Sequence, residues 1–329
     1  MEGATASVYL HYYLWWTPQH WRDKLGPAYP LDASPLPLPG SVDASGCNPK
    51  AAYRGATIVD LPTEGPYNQQ LAETFDRHIA QAAGAGVRGF LASWKSTGEP
   101  GQVPTSSGYN QRLDLLVSRV DAYNRSHIRA FGLALAMAAF GDYQRPAGAI
   151  ITDLRYFSTR YGASLAFNNA FSKKPVVMWL DSRKFAAETV KQVSAAVADS
   201  VYLVGDETAK SWARDAAYLE GTSYYWSTES PDNGNAQVTL TDLADQVRAA
   251  GKTWFAPFVP GYDKELAGGS CVPRNGTRTL NRLWSINAAS RPDGWFGISW
   301  NEFVENTYLE PTMNYGSTYL DELKRLIAG

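Results

Sequence analysis

The chain has 329 residues, 44% of them hydrophobic, and carries 30 Lys and Arg against 32 Asp and Glu for a formal charge of -2. That composition supports a large buried core and excludes disorder. The near-neutral balance of scattered charges excludes a basic track for nucleic acid, and no apolar run approaches the ~20 residues needed to cross a bilayer.

Strand-like runs recur at 8–16, 88–94, 129–137, 175–180, 200–204, 222–226, 253–259 and 295–300. Between them lie apolar residues at helical spacing, first Leu71, Phe75, Ile79 and Ala82, then Leu113, Leu116, Val117 and Val120. The pattern returns at Val190, Val193 and Val197, at Leu240, Leu243 and Val247, and at Leu280, Leu283 and Trp284. Eight strand-helix alternations predict an α/β chain built as a single-domain (β/α)8 TIM barrel over 1–329, with its active site at the C-terminal ends of the strands. A doubly wound open sheet is the competing fold. It usually carries a Gly-rich phosphate loop after its first strand, where this chain reads Leu14-Trp15-Trp16-Thr17-Pro18-Gln19-His20.

Two long loops stand out. One follows the first strand at about 17–69 and contains Cys47; the other, 260–275, follows the seventh and contains Cys271. In a barrel the first and seventh strands flank the eighth, so a Cys47–Cys271 disulfide would tie both loops across the end of strand eight. The alternative is two unrelated thiols. Such a disulfide fits an exported protein. The opening Met1-Glu2-Gly3-Ala4-Thr5-Ala6-Ser7 lacks signal-peptide regions and reads as the start of a mature domain whose leader has been removed, so the expected location is secreted or cell-envelope associated. Four scattered histidines and no Cys-x-x-Cys pair give no metal signature.

The last strand runs into Trp300, Asn301, Glu302 and Glu305. Two carboxylates three residues apart just past a barrel strand can flank one glycosidic bond, one as proton donor and the other as its ionised partner. The competing interpretation is a surface pair favoured by a helix dipole. Aromatics form 13% of the chain and suit sugar rings. The other strand ends supply candidate sugar contacts: Tyr13 and Trp16, Trp94 and Lys95, Asp181, Tyr225, Tyr262 and Asp263, with Trp300 as an apolar wall and Asn301 donating to a hydroxyl or orienting Glu302. Asp206 and Glu207 read first as helix caps, and Asp181 either as a cap or as a hydroxyl ligand.

The stretch from Ser299 to Pro311 resembles the Trp-Asn-Glu-x-x-Glu signature of glycoside hydrolase family 99, whose relatives include family 71 α-1,3-glucanases and O-antigen-associated proteins. Tyr12-Tyr13-Leu14-Trp15-Trp16, Phe90-Leu91-Ala92-Ser93-Trp94 and Val259-Pro260-Gly261-Tyr262-Asp263 resemble that group's strands one, two and seven, in the same order. The resemblance implies a retaining endo-glycosidase on a (β/α)8 barrel, acting on an α-linked glycan without a cofactor. It also implies that Glu302 acts on the sugar 2-hydroxyl or otherwise supports the donor sugar, while Glu305 is the general acid and then the base. A carbohydrate substrate and a monomer are expected. Phe303, Val304 and Asn306 replace the family's usual Trp-His and Gly, and 134–140 ends the third strand without the family's glutamate, the next acid being Asp142. Mannose specificity therefore does not carry over. A catalytically inactive carbohydrate-binding protein and a transglycosylase are the alternative functions.

Overall fold

The computed structural model describes residues 6–97, 106–128, 130–139 and 145–329. Eight strands form the barrel: β1 (Ser7–Tyr12), β2 (Gly89–Trp94), β3 (Gly132–Ala138), β4 (Val176–Leu180), β5 (Tyr202–Asp206), β6 (Gly221–Ser223), β7 (Thr253–Phe258) and β8 (Gly294–Gly297). All neighbours pair in parallel, and β1 closes the ring by pairing with both β2 and β8. The expected (β/α)8 barrel is the observed one.

The α-helices are α1 (Pro18–Leu25), α2 (Ala72–Gly84), α3 (Ser106–Ser126), α4 (Ala147–Tyr161), α5 (Ala187–Val197), α6 (Ala209–Asp215), α7 (Ala236–Ala249), α8 (Arg278–Ala289) and α9 (Thr318–Ala328). The five predicted from apolar spacing are all present. Within the loop at 17–69, Thr17 caps α1 by accepting from the His20 amide, Pro18 stands at the first helical position, and a short antiparallel pair joins Gly40–Ser41 to Lys50–Ala51.

The strand side chains divide between two cores. Those facing the barrel axis, including Tyr9, Leu91, Met178, Val204, Phe255 and Phe296, fill its interior, while those on the other face pack beneath the helices. The Tyr9 ring occupies the space that two glycines leave: a Cβ on Gly89 would fall 2.3 Å from the ring and one on Gly132 2.6 Å from its hydroxyl. That interior is a packed floor for the strand ends.

β1 stops at Tyr12, four residues short of the expected end, because side chains take over the backbone pairing. The Asn301 amide accepts from the Tyr13 N–H at 2.8 Å and donates to the Tyr13 carbonyl at 3.0 Å, and the Trp16 N–H donates to Gln69. β6 likewise ends at Ser223, and the Tyr225 N–H beyond it donates to the Asp206 carboxylate.

Candidate active site

The segment after β8 folds into a compact turn. The Glu302 N–H donates to Ser299 Oγ at 2.9 Å, the Thr307 N–H to the Glu302 carbonyl at 3.1 Å, and the Ser299 N–H back to the Thr307 carbonyl at 2.8 Å. Asn306 takes a left-handed φ of 49° within it. Glycine adopts that conformation freely and asparagine is among the few other residues that tolerate it, so Asn306 in the place of the family's glycine is compatible with the turn. Phe303 is fully buried, stacked on Tyr308 and edge-on to Trp16 and Trp21, whereas Val304 faces a cavity. The replaced Trp-His pair is therefore one core residue and one wall residue here.

Glu302 and Glu305 emerge from this turn on the same side, and both line two cavities that share Trp15 as well. The larger, about 470 Å³, is bounded by α1, Lys95, Tyr109, Arg112, Lys264 and Val304. The smaller, about 250 Å³, is bounded by Tyr13, Leu180, Asp181, Arg183, Asp206 and Tyr225. Trp15 stands between Tyr13 and His20, with ring centroids 4.4 and 5.8 Å away. The carboxylates thus sit where two binding spaces meet.

Their environments differ. Glu302 is 3% exposed and accepts from the Val304 N–H at 2.9 Å. Burial, reinforced by the Glu305 charge, pushes its pKa up to about 8. Glu305 is the more open of the two and meets the Lys264 ammonium at 3.1 Å, while its carbonyl accepts from the Asp263 N–H at 2.8 Å. The raised value lets Glu302 keep its proton at neutral pH. The hydroxyls of Tyr13 and Tyr225 lie 2.5 Å apart. Burial raises both pKa values and the nearby carboxylates raise them further, so both hydroxyls stay protonated donors.

Of the ten expected sugar contacts, four line these cavities: Lys95 the larger, and Tyr13, Asp181 and Tyr225 the smaller. Trp16, Trp94, Tyr262, Asp263, Trp300 and Asn301 stand behind the walls. Trp16 is stacked on Trp21 at 3.9 Å and donates from Nε1 to the Asn301 carbonyl. Trp94 donates to Asn110 at 2.7 Å, and Trp300 packs against His78 and Phe90. Asp263 holds the Glu305 backbone, and Tyr262 is buried beside it at 6% exposure.

Asp206 and Glu207 do not cap α6, whose cap is Thr208. Asp206 instead receives the N–H groups of Asp181 and Tyr225 and the Arg183 guanidinium, and so ties together the ends of β4, β5 and β6. Asp181 makes no capping hydrogen bond either; at φ 57° it turns toward the smaller cavity and pairs with Arg183 at 2.8 Å. Asp142 lies outside the described residues. The wall residues Gln19, His20, Asp23 and Lys24 all belong to α1. Thr17-Pro18 is the helix-start signal that would have found them.

Cys47 and Cys271 form the expected disulfide, with Cα atoms 5.9 Å apart. Cys271 belongs to a short antiparallel pair with Tyr262–Asp263, next to the strand that holds the Glu305 carbonyl.

A family-99 endo-alpha-mannosidase from Bacteroides thetaiotaomicron, solved in complex with bis-tris-propane, superimposes over 98% of this chain and 97% of its own at a TM-score of 0.75 and 17% identity. This chain has the glycoside hydrolase family 99 fold. A glycoside hydrolase-like protein matches over 82% of this chain and 89% of its own, with a TM-score of 0.61 and 15% identity. No protein-family model matches the sequence, and no curated protein does. At these identities the likeness to family 99 establishes the common fold.

Proposed function

We propose that this chain is a glycoside hydrolase that cleaves within an α-linked oligosaccharide or polysaccharide with retention of configuration, using Glu302 and Glu305. The observation that carries this reading is the position of both carboxylates at the junction of two cavities: a glycan seated in both would present an internal linkage to the pair. The family-99 fold and the Trp300-Asn301-Glu302 turn support it. Proton transfer to the leaving oxygen needs one member protonated and the other ionised at working pH, and burial of Glu302 beside the Lys264-paired Glu305 supplies that inequality.

The motif resemblance assigns the general acid to Glu305 and the 2-hydroxyl partner to Glu302. One observation favours the exchanged roles: the raised pKa belongs to Glu302. Glu302→Gln and Glu305→Gln are each expected to lower kcat/KM by about three orders of magnitude or more, since each removes a group acting in proton transfer or on the reacting sugar. Near-normal turnover in either variant would sink the proposal. An aryl glycoside with a low-pKa leaving group separates the roles, because only the variant lacking the acid regains bond cleavage on it. Retention is checked by identifying the first-formed anomer by NMR.

A further inference from the structure

The two cavities beside the carboxylates are electrostatically unlike. In the smaller, the one cation of the wall among the described residues, Arg183, is matched by Asp181 at 2.8 Å and by Asp206. In the larger, four cations converge from four parts of the fold: Lys24 from α1, Lys95 after β2, Arg112 from α3 and Lys264 after β7. Asp23 and the two glutamates are the acids of that wall among the described residues. Asp23 accepts from Gln19 at 2.7 Å, and Lys264 meets Glu305. Arg112 is 8% exposed, donates from Nε to the Leu14 carbonyl, lies over the Tyr109 ring at 5.2 Å and meets no carboxylate among the described residues. A guanidinium held that deep without an acid leaves much of its charge uncompensated, and a concave wall focuses the field of such charges into the cavity. His20 registers the convergence: burial, with Lys24, Arg112 and Lys95 adding to it against Asp23, pushes its pKa down to about 4.

Neutral sugars are bound by aromatic faces and paired polar groups, and do not call for four cations in a chain whose net charge is -2. We propose that the larger cavity takes a sugar residue bearing an anionic group, a carboxylate or a sulfate or phosphate ester, so that the substrate is an acidic glycan with its charged residue next to the scissile linkage. The smaller cavity, with its charges paired and Tyr13 and Tyr225 exposed to it, takes the neutral side. This inference rests on the glycosidase reading of Glu302 and Glu305.

The test is calorimetric binding to the full chain carrying Glu302→Gln, which keeps the Lys264–Glu305 pair and is expected not to consume the ligand. The probes are oligosaccharides of alginate and polygalacturonate (carboxylate), sulfated dextran (sulfate), phosphorylated mannan (phosphate), and neutral dextran and mannan. At least one charged class is expected to bind about tenfold or more tighter than its neutral counterparts, and to weaken as salt is raised. Which class it is identifies the anionic group. Adding Lys24→Gln or Lys95→Gln is expected to weaken that binding about five- to tenfold while the thermal midpoint stays unchanged. Equal or tighter binding of the neutral glycans, failure of every charged probe to bind, or indifference to both lysine changes would overturn the inference. Selective binding of a charged glycan that the wild-type chain never cleaves would leave it standing and sink the hydrolase reading. Cleavage of neutral glycans alone would do the reverse.

Discussion

Asn301 commits its whole side-chain amide to structure: it accepts from the Tyr13 N–H, donates to the Tyr13 carbonyl and reaches the Tyr67 hydroxyl at 3.3 Å. It therefore works as a positioning residue that fastens the end of β1 to the turn bearing Glu302. Asn301→Ala is expected to cost about 2–4 kcal/mol, because buried partners lose their hydrogen bonds, and to lower kcat/KM. Chemical denaturation and turnover on one preparation check this; loss of stability with activity intact would show that the clamp does not position the site. The two glutamates were legible as a pair because chain adjacency after a strand fixes their relation whatever the surroundings. The aromatics were not. Trp16, Trp94 and Trp300 stand at strand ends just as Tyr13 and Tyr225 do, yet the Nε1 partners of Trp16 and Trp94 and the ring neighbours of Trp300 lie behind the walls, and strand alternation does not say which of two adjacent tryptophans faces the cavity.

The elements that shape the cleft are those least marked by periodicity. α1 is eight residues long, and it brings Gln19, His20, Asp23 and Lys24 to the larger cavity from inside what reads as one long loop. The Cys47–Cys271 disulfide fastens the rest of that loop to the short antiparallel pair after β7, one residue of which, Asp263, holds the Glu305 carbonyl. Replacing both cysteines by serine is expected to lower stability by about 2–4 kcal/mol, and to raise KM because both loops border the cleft. Thermal melts and steady-state kinetics of the double variant read the two effects; wild-type stability under oxidising conditions would show that the bridge does not brace the fold. The pairing could be anticipated because the circular strand order makes loops one and seven neighbours. The helix could not be read from apolar spacing, since only Trp21 and Leu25 of α1 are buried.

For the molecule as a whole, burial of ionisable groups sets the pH profile. His11 is pushed down to about 3 and His78 well below its ordinary value, both by burial, so above about pH 7.5 they are neutral whether the chain is folded or not. Glu302, at about 8, keeps its proton in the folded chain up to about that pH, where the unfolded chain has released it, and burial holds Glu310 well above the ordinary carboxyl value. The folded state then binds more protons, so stability falls as pH rises from about 7.5 to 8.5, by up to about 1.4 kcal/mol per pH unit from Glu302. Urea titrations at the two pH values measure it, and Glu302→Gln is expected to make the decline shallower. A flat or rising profile in the wild-type chain would contradict the assignment of buried, protonated carboxyls.

The alternation of strands and helices, the order of the loops and the carboxylate pair after the last strand belong to the sequence itself, because each depends on spacing along the chain, and spacing survives without knowledge of neighbours. Which aromatics face the cleft, the proton held on Glu302 and the meeting of Lys24, Lys95, Arg112 and Lys264 on one wall are decided only by tertiary structure. Those properties depend on burial and on approaches between residues as far apart as Lys24 and Lys264, and barrel closure, not proximity in the chain, brings them together.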